Sequence, residues 1–442
     1  MPYQVQSNQA TGKRLFHPIK QSPTKSVSPV LLTQSDSNDK NNKGKLMSTS
    51  KQSEAPVVHR PVFIDGSDLT TPTLKILRQD GSLYEGAELP DIDQTLALKI
   101  YDTFLFIRAL DERMVAAQRQ GRISFYMTEV GEEAADIGST AALAHDDMIM
   151  AQYREQGALA FRGFPLQQFM NQMFSNEKDL GKGRQMPIHY GCRELNYMTI
   201  SSPLGTQLPQ AVGYAYGYKL EEKDNCVICY FGEGAASEGD FHAAINMAGV
   251  FKVPAIFFCR NNGYAISTPS SQQFAGDGIA PRAIAYGLKA IRVDGNDVLA
   301  VLKATQEARK LAVEHNQPVL IEAMTYRLGA HSTSDDPSGY RSKKEEEKWR
   351  EKDPVLRFKN WLIQQGWWTE EQDQDVSDAK RKAVMAAMKE AEKVAAPHLD
   401  DLITDVYDTP PKHLQDQLAA LKAHIRQYPD AYPKTAGRLD NE

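Results

Sequence analysis

The chain has 442 residues, a net charge of −6 and four cysteines, Cys192, Cys226, Cys229 and Cys259. That length allows two or three units, or one large α/β domain with appendages, and a core that needs no disulfide or structural metal. The mildly acidic balance argues against nucleic acid as a partner, and so few cysteines exclude a disulfide-framed secreted domain and fit a reducing compartment.

No run approaches the ~18 apolar residues of a membrane span, and the first residues lack the apolar centre of a secretory signal. Residues 1–60 hold three acids, Asp36, Asp39 and Glu54, and are rich in Ser, Lys, Asn and Gln. A transit peptide shares the scarcity of acids, but Arg is sparse here and no amphipathic helix is evident. The segment therefore reads as a disordered leader, too polar to offset its chain entropy by burial, with order expected from about Pro61. Residues 97–121 carry apolar positions three and four apart and end at Gly121, which predicts a helix. Residues 131–144 and 165–176 read as two more helices.

The pattern then changes. Residues 226–234, 255–263, 290–297 and 318–327 are short apolar, β-branched runs ending in glycine or polar residues. Helical patterns lie between them at 238–251 and 298–315. Buried strands alternating with helices predict a doubly wound parallel sheet, which binds ligands at the carboxyl ends of its strands. After Tyr340 the chain becomes charged and helical, with a solvated helix expected over 342–353 and an amphipathic one over 379–395, halted by Pro397. The division expected is a leader (1–60), an α/β domain with N-terminal helices (61–340) and a helical C-terminal extension (341–442).

The central motif is Gly232-Glu233-Gly234 at one strand end and Asn261-Asn262-Gly263-Tyr264 at the next. A carboxylate and a carboxamide on neighbouring strand ends can share one hard divalent cation such as Mg²⁺. The glycines admit a diphosphate to backbone N–H groups, and the helix starting near Glu238 adds its N-terminal dipole. Neither a P-loop nor a complete GxGxxG is present. Cys226 and Cys229 form a CxxC inside a strand, so their sulfurs point to opposite faces and core packing is expected.

Between Gly234 and Asn261 lie 26 residues. This spacing resembles the thiamine diphosphate motif, GDG, 24 to 28 residues, then NN. The wider text, FGEGAASEGDFHAAINMA and FFCRNNGYAIS, resembles the alpha subunits of the decarboxylating E1 component of branched-chain 2-oxoacid dehydrogenase, over about residues 61–432. The resemblance implies the thiamine-diphosphate-binding fold and oxidative decarboxylation of branched 2-oxo acids, with acyl transfer to a lipoyl group on an E2 acyltransferase. It implies Mg²⁺ on Glu233, Asn262 and the Tyr264 carbonyl. Cofactor contacts would come from Gln152, Tyr153, Arg154, Ser202, Leu204, Gly234, Ala235 and Arg260, the two arginines at the diphosphate. Ser201, Thr206, Gln207 and the Pro203 carbonyl resemble a K⁺ loop, from which Gly205 departs where alanine is frequent.

His331 follows the last strand run, where an imidazole can donate to phosphate or move a proton. It would be the catalytic residue, on an exposed loop. Ser332 and Ser342 match serines modified by a kinase in eukaryotic members. His189 lies near these segments without an assignment. The resemblance further implies a beta subunit that supplies a carboxylate to the cofactor, in a two-alpha, two-beta heterotetramer, with neither nucleic acid nor membrane as a partner. A bacterial chain in the cytoplasm is preferred, with the mitochondrial matrix as the eukaryotic alternative. Pyruvate and acetoin dehydrogenase alpha subunits are the rival enzymes; GEG in place of GDG, and HSTSDD, favour branched substrates. A catalytically silent scaffold would be expected to have lost Glu233, Asn262 or His331.

Overall fold

Residue 226 onward shows how the sheet is made. Along the strand Val227–Gly232, alternate side chains enter two different cores. Ile228 and Tyr230 pack on one face with Ile256, Phe258 and Ile321, while Val227, Cys229 and Phe231 pack on the other with Phe257, Cys259 and Leu320. A strand apolar at every position has no solvent face, so it must lie inside a sheet covered on both sides. Cys226 and Cys229 fall in opposite cores, both fully buried, as their spacing predicts.

The computed structural model describes residues 58–63, 66, 70–432 and 437–439. The leader expectation therefore lies almost wholly outside the described residues. The chain divides into two units, Met1–Phe63 and Ile64–Glu442, and every element below belongs to the second. The strands are β1 (Thr73–Leu74), β2 (Met148–Met150), β3 (Val227–Gly232), β4 (Ala255–Asn261), a small hairpin of β5 (Tyr264–Ala265) and β6 (Thr268–Pro269), β7 (Lys289–Asp294) and β8 (Val319–Met324). The helices are α1 (Gln94–Arg119), α2 (Glu133–Thr140), α3 (Gln156–Phe161), α4 (Leu166–Met173), α5 (Gln207–Leu220), α6 (Gly239–Phe251), α7 (Ala280–Ala285), α8 (Val298–His315), α9 (Lys343–Arg350), α10 (Pro354–Gln364), α11 (Glu370–Ala391), α12 (Asp401–Thr404) and α13 (Lys412–Gln427).

The main sheet has six strands in the order β1-β7-β8-β4-β3-β2, each pair parallel. Its α/β layering is the one the alternating runs predict. Gly232 pairs with Arg260, and Asn261 with Met324, so the carboxyl ends of β3, β4 and β8 lie level. That alignment brings the motif segments together. No helix among the described residues is long and apolar enough to cross a membrane.

Helix α1 starts where the Asp93 carboxylate accepts the Leu96 N–H at 2.8 Å, and its chain leaves through Gly121, which takes the left-handed conformation. Helix α11 begins nine residues before its sequence-based start, because Thr369 caps it and two polar turns hide its period. It also ends before Pro397: the Asn176 carboxamide donates to the Ala391 carbonyl and takes up the helix end. Helix α5 was not anticipated. Its Gly213 and Gly217 dilute the apolar pattern, and Pro209 is tolerated in its first turn. The C-terminal helices share the sheet's core: Phe358 of α10 meets Phe104 of α1 edge-on at 5.9 Å and stacks on Trp361 at 5.3 Å.

Candidate active site

Four strand ends build one cleft of about 410 Å³. Beyond β2 lie Gln152, Tyr153 and Arg154; beyond β3, Glu233, Gly234 and Ala235; at and beyond the end of β4, Arg260, Asn262 and Tyr264; beyond β8, Arg327 and His331. Ser202 and Leu204 close it from the segment before α5. Every residue assigned from the sequence to catalysis, to the organic cofactor or to Mg²⁺ lines this cleft. A more open groove of about 790 Å³ along α1 holds none of them.

The turns have local causes. Gln152 accepts the Gly232 N–H at 2.6 Å, which ties the end of β2 to the end of β3. Gly234 must lack a side chain, since a Cβ there would lie 2.7 Å from that of Ala265. The Asn262 backbone N–H donates to Glu233 at 3.3 Å, and the Asn262 carboxamide oxygen accepts the Tyr264 N–H at 3.1 Å. Glu233 is 1% exposed, and burial pushes its carboxyl up to about 7. Its Oε1 has no hydrogen-bond partner. A buried carboxylate oxygen left so is costly unless a cation or a proton completes it. Among the described residues no group of three or more His, Cys, Asp or Glu is placed to hold a metal. A cation at this spot would therefore rest on one acid and neutral oxygens, the set that suits Mg²⁺ with phosphate and water completing the shell.

Three guanidinium groups enter the cleft. Arg260 is held between two buried carboxylates, Glu132 at 2.8 Å and Glu155 at 2.6 Å. Arg154 donates to the carbonyls of Thr128 at 2.7 Å and His331 at 2.6 Å. Arg327 donates to the Ile266 carbonyl at 2.9 Å. Burial alone would raise the Glu132 carboxyl, but Arg260, Arg154 and the Asn262 amide outweigh it and hold it below the usual range. Glu155 also accepts the backbone N–H groups of Gln152 and Tyr153, each at 2.9 Å, and so shapes the turn that carries them.

His331 is half-buried, which corrects the expectation of an exposed loop. Its Nδ1 lies 3.3 Å from Arg154 Nη2 and 3.4 Å from Arg327 Nη1. Guanidinium nitrogens only donate, so Nδ1 accepts and the ring proton sits on Nε2. Burial, with Arg154 and Arg327 beside it, lowers the imidazole to about 3. The loop is secured by Arg341, which donates to the carbonyls of Arg327 and Gly329. Ser332 is 9% exposed and caps the Ser334 N–H, whereas exposed Ser342 caps α9 through the Glu345 N–H.

In the Ser201–Gln207 loop, the Thr206 hydroxyl lies 3.0 Å from both the Ser201 hydroxyl and the Pro203 carbonyl. Gln207 donates to the Tyr230 carbonyl at 3.0 Å and anchors the loop to β3. His189 lies in the cleft with its Nε2 2.8 Å from the Ser202 hydroxyl. Sequence reasoning missed Glu132, Glu155 and Arg327. Arg327 had a signal, being the last residue of a run already read as a strand; an acid beside a helix start had none, because it reads as a solvated residue.

Residues 101–400 match the family model described as "Dehydrogenase E1 component". The chain is 51% identical over 363 residues to the 2-oxoisovalerate dehydrogenase subunit alpha, mitochondrial, of Homo sapiens, covering 82% of each chain. It is 52% identical over 368 residues to the protein of that name from Caenorhabditis elegans, covering 82% of this chain and 85% of the relative. It is 47% identical over 373 residues to the mitochondrial alpha 2 subunit of Arabidopsis thaliana, covering 84% and 79%. These relatives are mitochondrial by name and lend no support to the preference for a bacterial cytoplasm. With the parallel sheet, the cleft at its strand ends and the matched span in view, the chain belongs to the dehydrogenase E1 component family.

Proposed function

We propose that this chain is the alpha subunit of a thiamine-diphosphate-dependent dehydrogenase that decarboxylates branched-chain 2-oxo acids such as 3-methyl-2-oxobutanoate and passes the acyl group to a lipoyl group on an E2 acyltransferase. The observation that carries this reading is the convergence of Glu233, Asn262, Arg154 and His331 on one cleft at the strand ends. A scaffold subunit would have no use for that set. The names of the relatives favour branched substrates over pyruvate or acetoin.

Thiamine diphosphate supplies the carbanion and the electron sink; the protein supplies position and charge. Glu233, Asn262 and the Tyr264 carbonyl would hold Mg²⁺ against the diphosphate. Arg154 and Arg260 would face its oxygens, with Gly234 and Ala235 offering backbone N–H groups. Gln152, Tyr153, Ser202 and Leu204 would shape the organic part of the pocket. His331, with its proton on Nε2, would donate to a phosphate oxygen or to the acyl oxygen of the substrate. Ser201, Thr206, Gln207 and the Pro203 carbonyl would surround K⁺ and stiffen the loop that carries Ser202 and Leu204. Ser332 and Ser342 would be the sites of a regulatory kinase. The compartment would be the mitochondrial matrix.

The partners would be a beta subunit, in a two-alpha, two-beta assembly, and the E2 acyltransferase. The described residues contain one parallel sheet of this kind and one diphosphate motif, so the carboxylate for the aminopyrimidine would come from the beta chain. The test is decarboxylation of 3-methyl-2-oxobutanoate and of pyruvate with an artificial electron acceptor, by the chain with and without a candidate beta subunit. Turnover only with the beta chain, and faster with the branched acid, is expected. Robust turnover by the isolated chain would refute the divided site, and preference for pyruvate would refute the substrate class.

A further inference from the structure

Glu132 is one of three residues at this site, with Glu155 and Arg327, that no motif covers. It follows Gly131, whose φ of +99° and lack of room, with a Cβ there 2.3 Å from the Tyr326 carbonyl, admit only glycine. That turn aims the Glu132 carboxylate from the start of α2 toward the end of β4, and it is fully buried. Its Oε1 accepts from Asn262 Nδ2 at 2.7 Å and its Oε2 from Arg260 Nη1 at 2.8 Å.

The chemistry of these contacts is directional. A carboxylate only accepts, so Asn262 must turn its NH₂ toward Glu132. The Asn262 carbonyl oxygen then has to lie on the opposite side, where the Tyr264 N–H at 3.1 Å occupies one lone pair and leaves the other. A carboxamide can serve a cation only through that oxygen. The other carboxylate oxygen holds the Arg260 fork in the same act.

We propose that Glu132 is a positioning residue for the cation and diphosphate site: its carboxylate sets the amide orientation of Asn262 and the guanidinium of Arg260. The inference rests on the reading of Glu233 and Asn262 as cation ligands. It adds the residue that makes an otherwise two-faced carboxamide present its oxygen. Residues behind metal ligands act in this way generally, and their loss costs about 10–100-fold in metal affinity.

The test uses the chain assembled with its beta partner. Thiamine diphosphate binding is followed by tryptophan fluorescence while Mg²⁺ is titrated, and the melting temperature of the cofactor-free assembly is recorded beside it. Glu132→Gln can present either an NH₂ or an oxygen to Asn262, so the apparent Mg²⁺ affinity should fall about tenfold or more. Glu132→Asp keeps an acceptor-only group and should lose less. Asn262→Asp sets two carboxylates face to face and should also weaken Mg²⁺ binding, although a carboxylate is otherwise the better ligand. The double variant Glu132→Gln/Asn262→Asp restores a donor facing an acceptor and should recover most of the affinity. A wild-type Mg²⁺ affinity in Glu132→Gln overturns the proposal, as does a double variant no better than Asn262→Asp. Should Glu132→Gln fail to fold, undiminished Mg²⁺ affinity in Asn262→Asp alone overturns it. A wild-type assembly that binds no thiamine diphosphate with Mg²⁺ overturns the functional reading itself and this inference with it.

Discussion

Replacing Arg260 by methionine should unfold the cofactor-free chain more readily, before any question of catalysis arises. Arg260 is 3% exposed, and its two terminal nitrogens lie 2.8 Å from Glu132 and 2.6 Å from Glu155, both fully buried. A surface ion pair would contribute about 0–1 kcal/mol. Removing one partner of a buried pair costs about 3–5 kcal/mol, because the remaining charge keeps its desolvation penalty without compensation. Two carboxylates are stranded here, but each keeps other donors: Glu132 the Asn262 amide, Glu155 the N–H groups of Gln152 and Tyr153. The expected loss for Arg260→Met is therefore the single-pair figure, about 3–5 kcal/mol. Arg260→Lys keeps the charge but has one point of contact where the guanidinium has two, so about half that loss is expected. Urea unfolding at neutral pH, followed by tryptophan fluorescence without cofactor or Mg²⁺, reads both variants. A loss under about 1 kcal/mol for Arg260→Met would refute the assignment of Arg260 to a buried charge network.

Other outcomes follow from the same geometry. Glu233→Gln should leave the fold intact and abolish most of the thermal stabilisation that thiamine diphosphate gives with Mg²⁺; stabilisation equal to wild type would remove Glu233 from the cation site. His331→Ala should abolish most turnover of the assembled enzyme, and full turnover would refute its role. The His331 imidazole is lowered to about 3 in the folded chain against an ordinary 6.5, so the folded state binds fewer protons between those values and loses stability as pH falls through that window. Urea midpoints at pH 7 and pH 5 should therefore differ less in His331→Ala than in wild type, and an unchanged difference would show the ring to be solvated. Ser332→Glu, which buries a charge, should lower the melting temperature clearly, whereas Ser342→Ala removes an exposed cap at a cost of about 1 kcal/mol; equal effects would contradict the difference in burial.

The motifs legible in the sequence are those whose geometry is local. A β-branched run ending in Gly232-Glu233-Gly234 must be a buried strand meeting a turn, and the same holds for the run ending in Asn261-Asn262-Gly263. The strand period alone placed Cys226 and Cys229 on opposite faces. Alternation of such runs with helices determined the parallel sheet, and a parallel sheet puts its binding cleft at the strand ends. Where local signals were diluted, reading stopped: α5, with two glycines and a proline, and the polar first turns of α11.

Only the tertiary structure decided which charges meet. Glu132 and Arg260 are 128 residues apart, yet they form one ion pair, because α2, packed between α3 and α8, shares the core on the face of the sheet that carries Tyr230 and Phe258. Nothing local marks an acid at a helix start as buried, and its cost is offset only by partners from distant strands. His331 likewise became a half-buried neutral imidazole through Arg154, delivered by the end of β2, and Arg327, four residues before it beyond β8. The sequence by itself determined β3, β4, β7 and β8, their turns and the ligand types they present, but not β1 and β2, whose two and three residues are too short to show a period. Burial and the convergence of distant charges, which exist only once the sheet has closed, decided the orientation and ionisation of those groups.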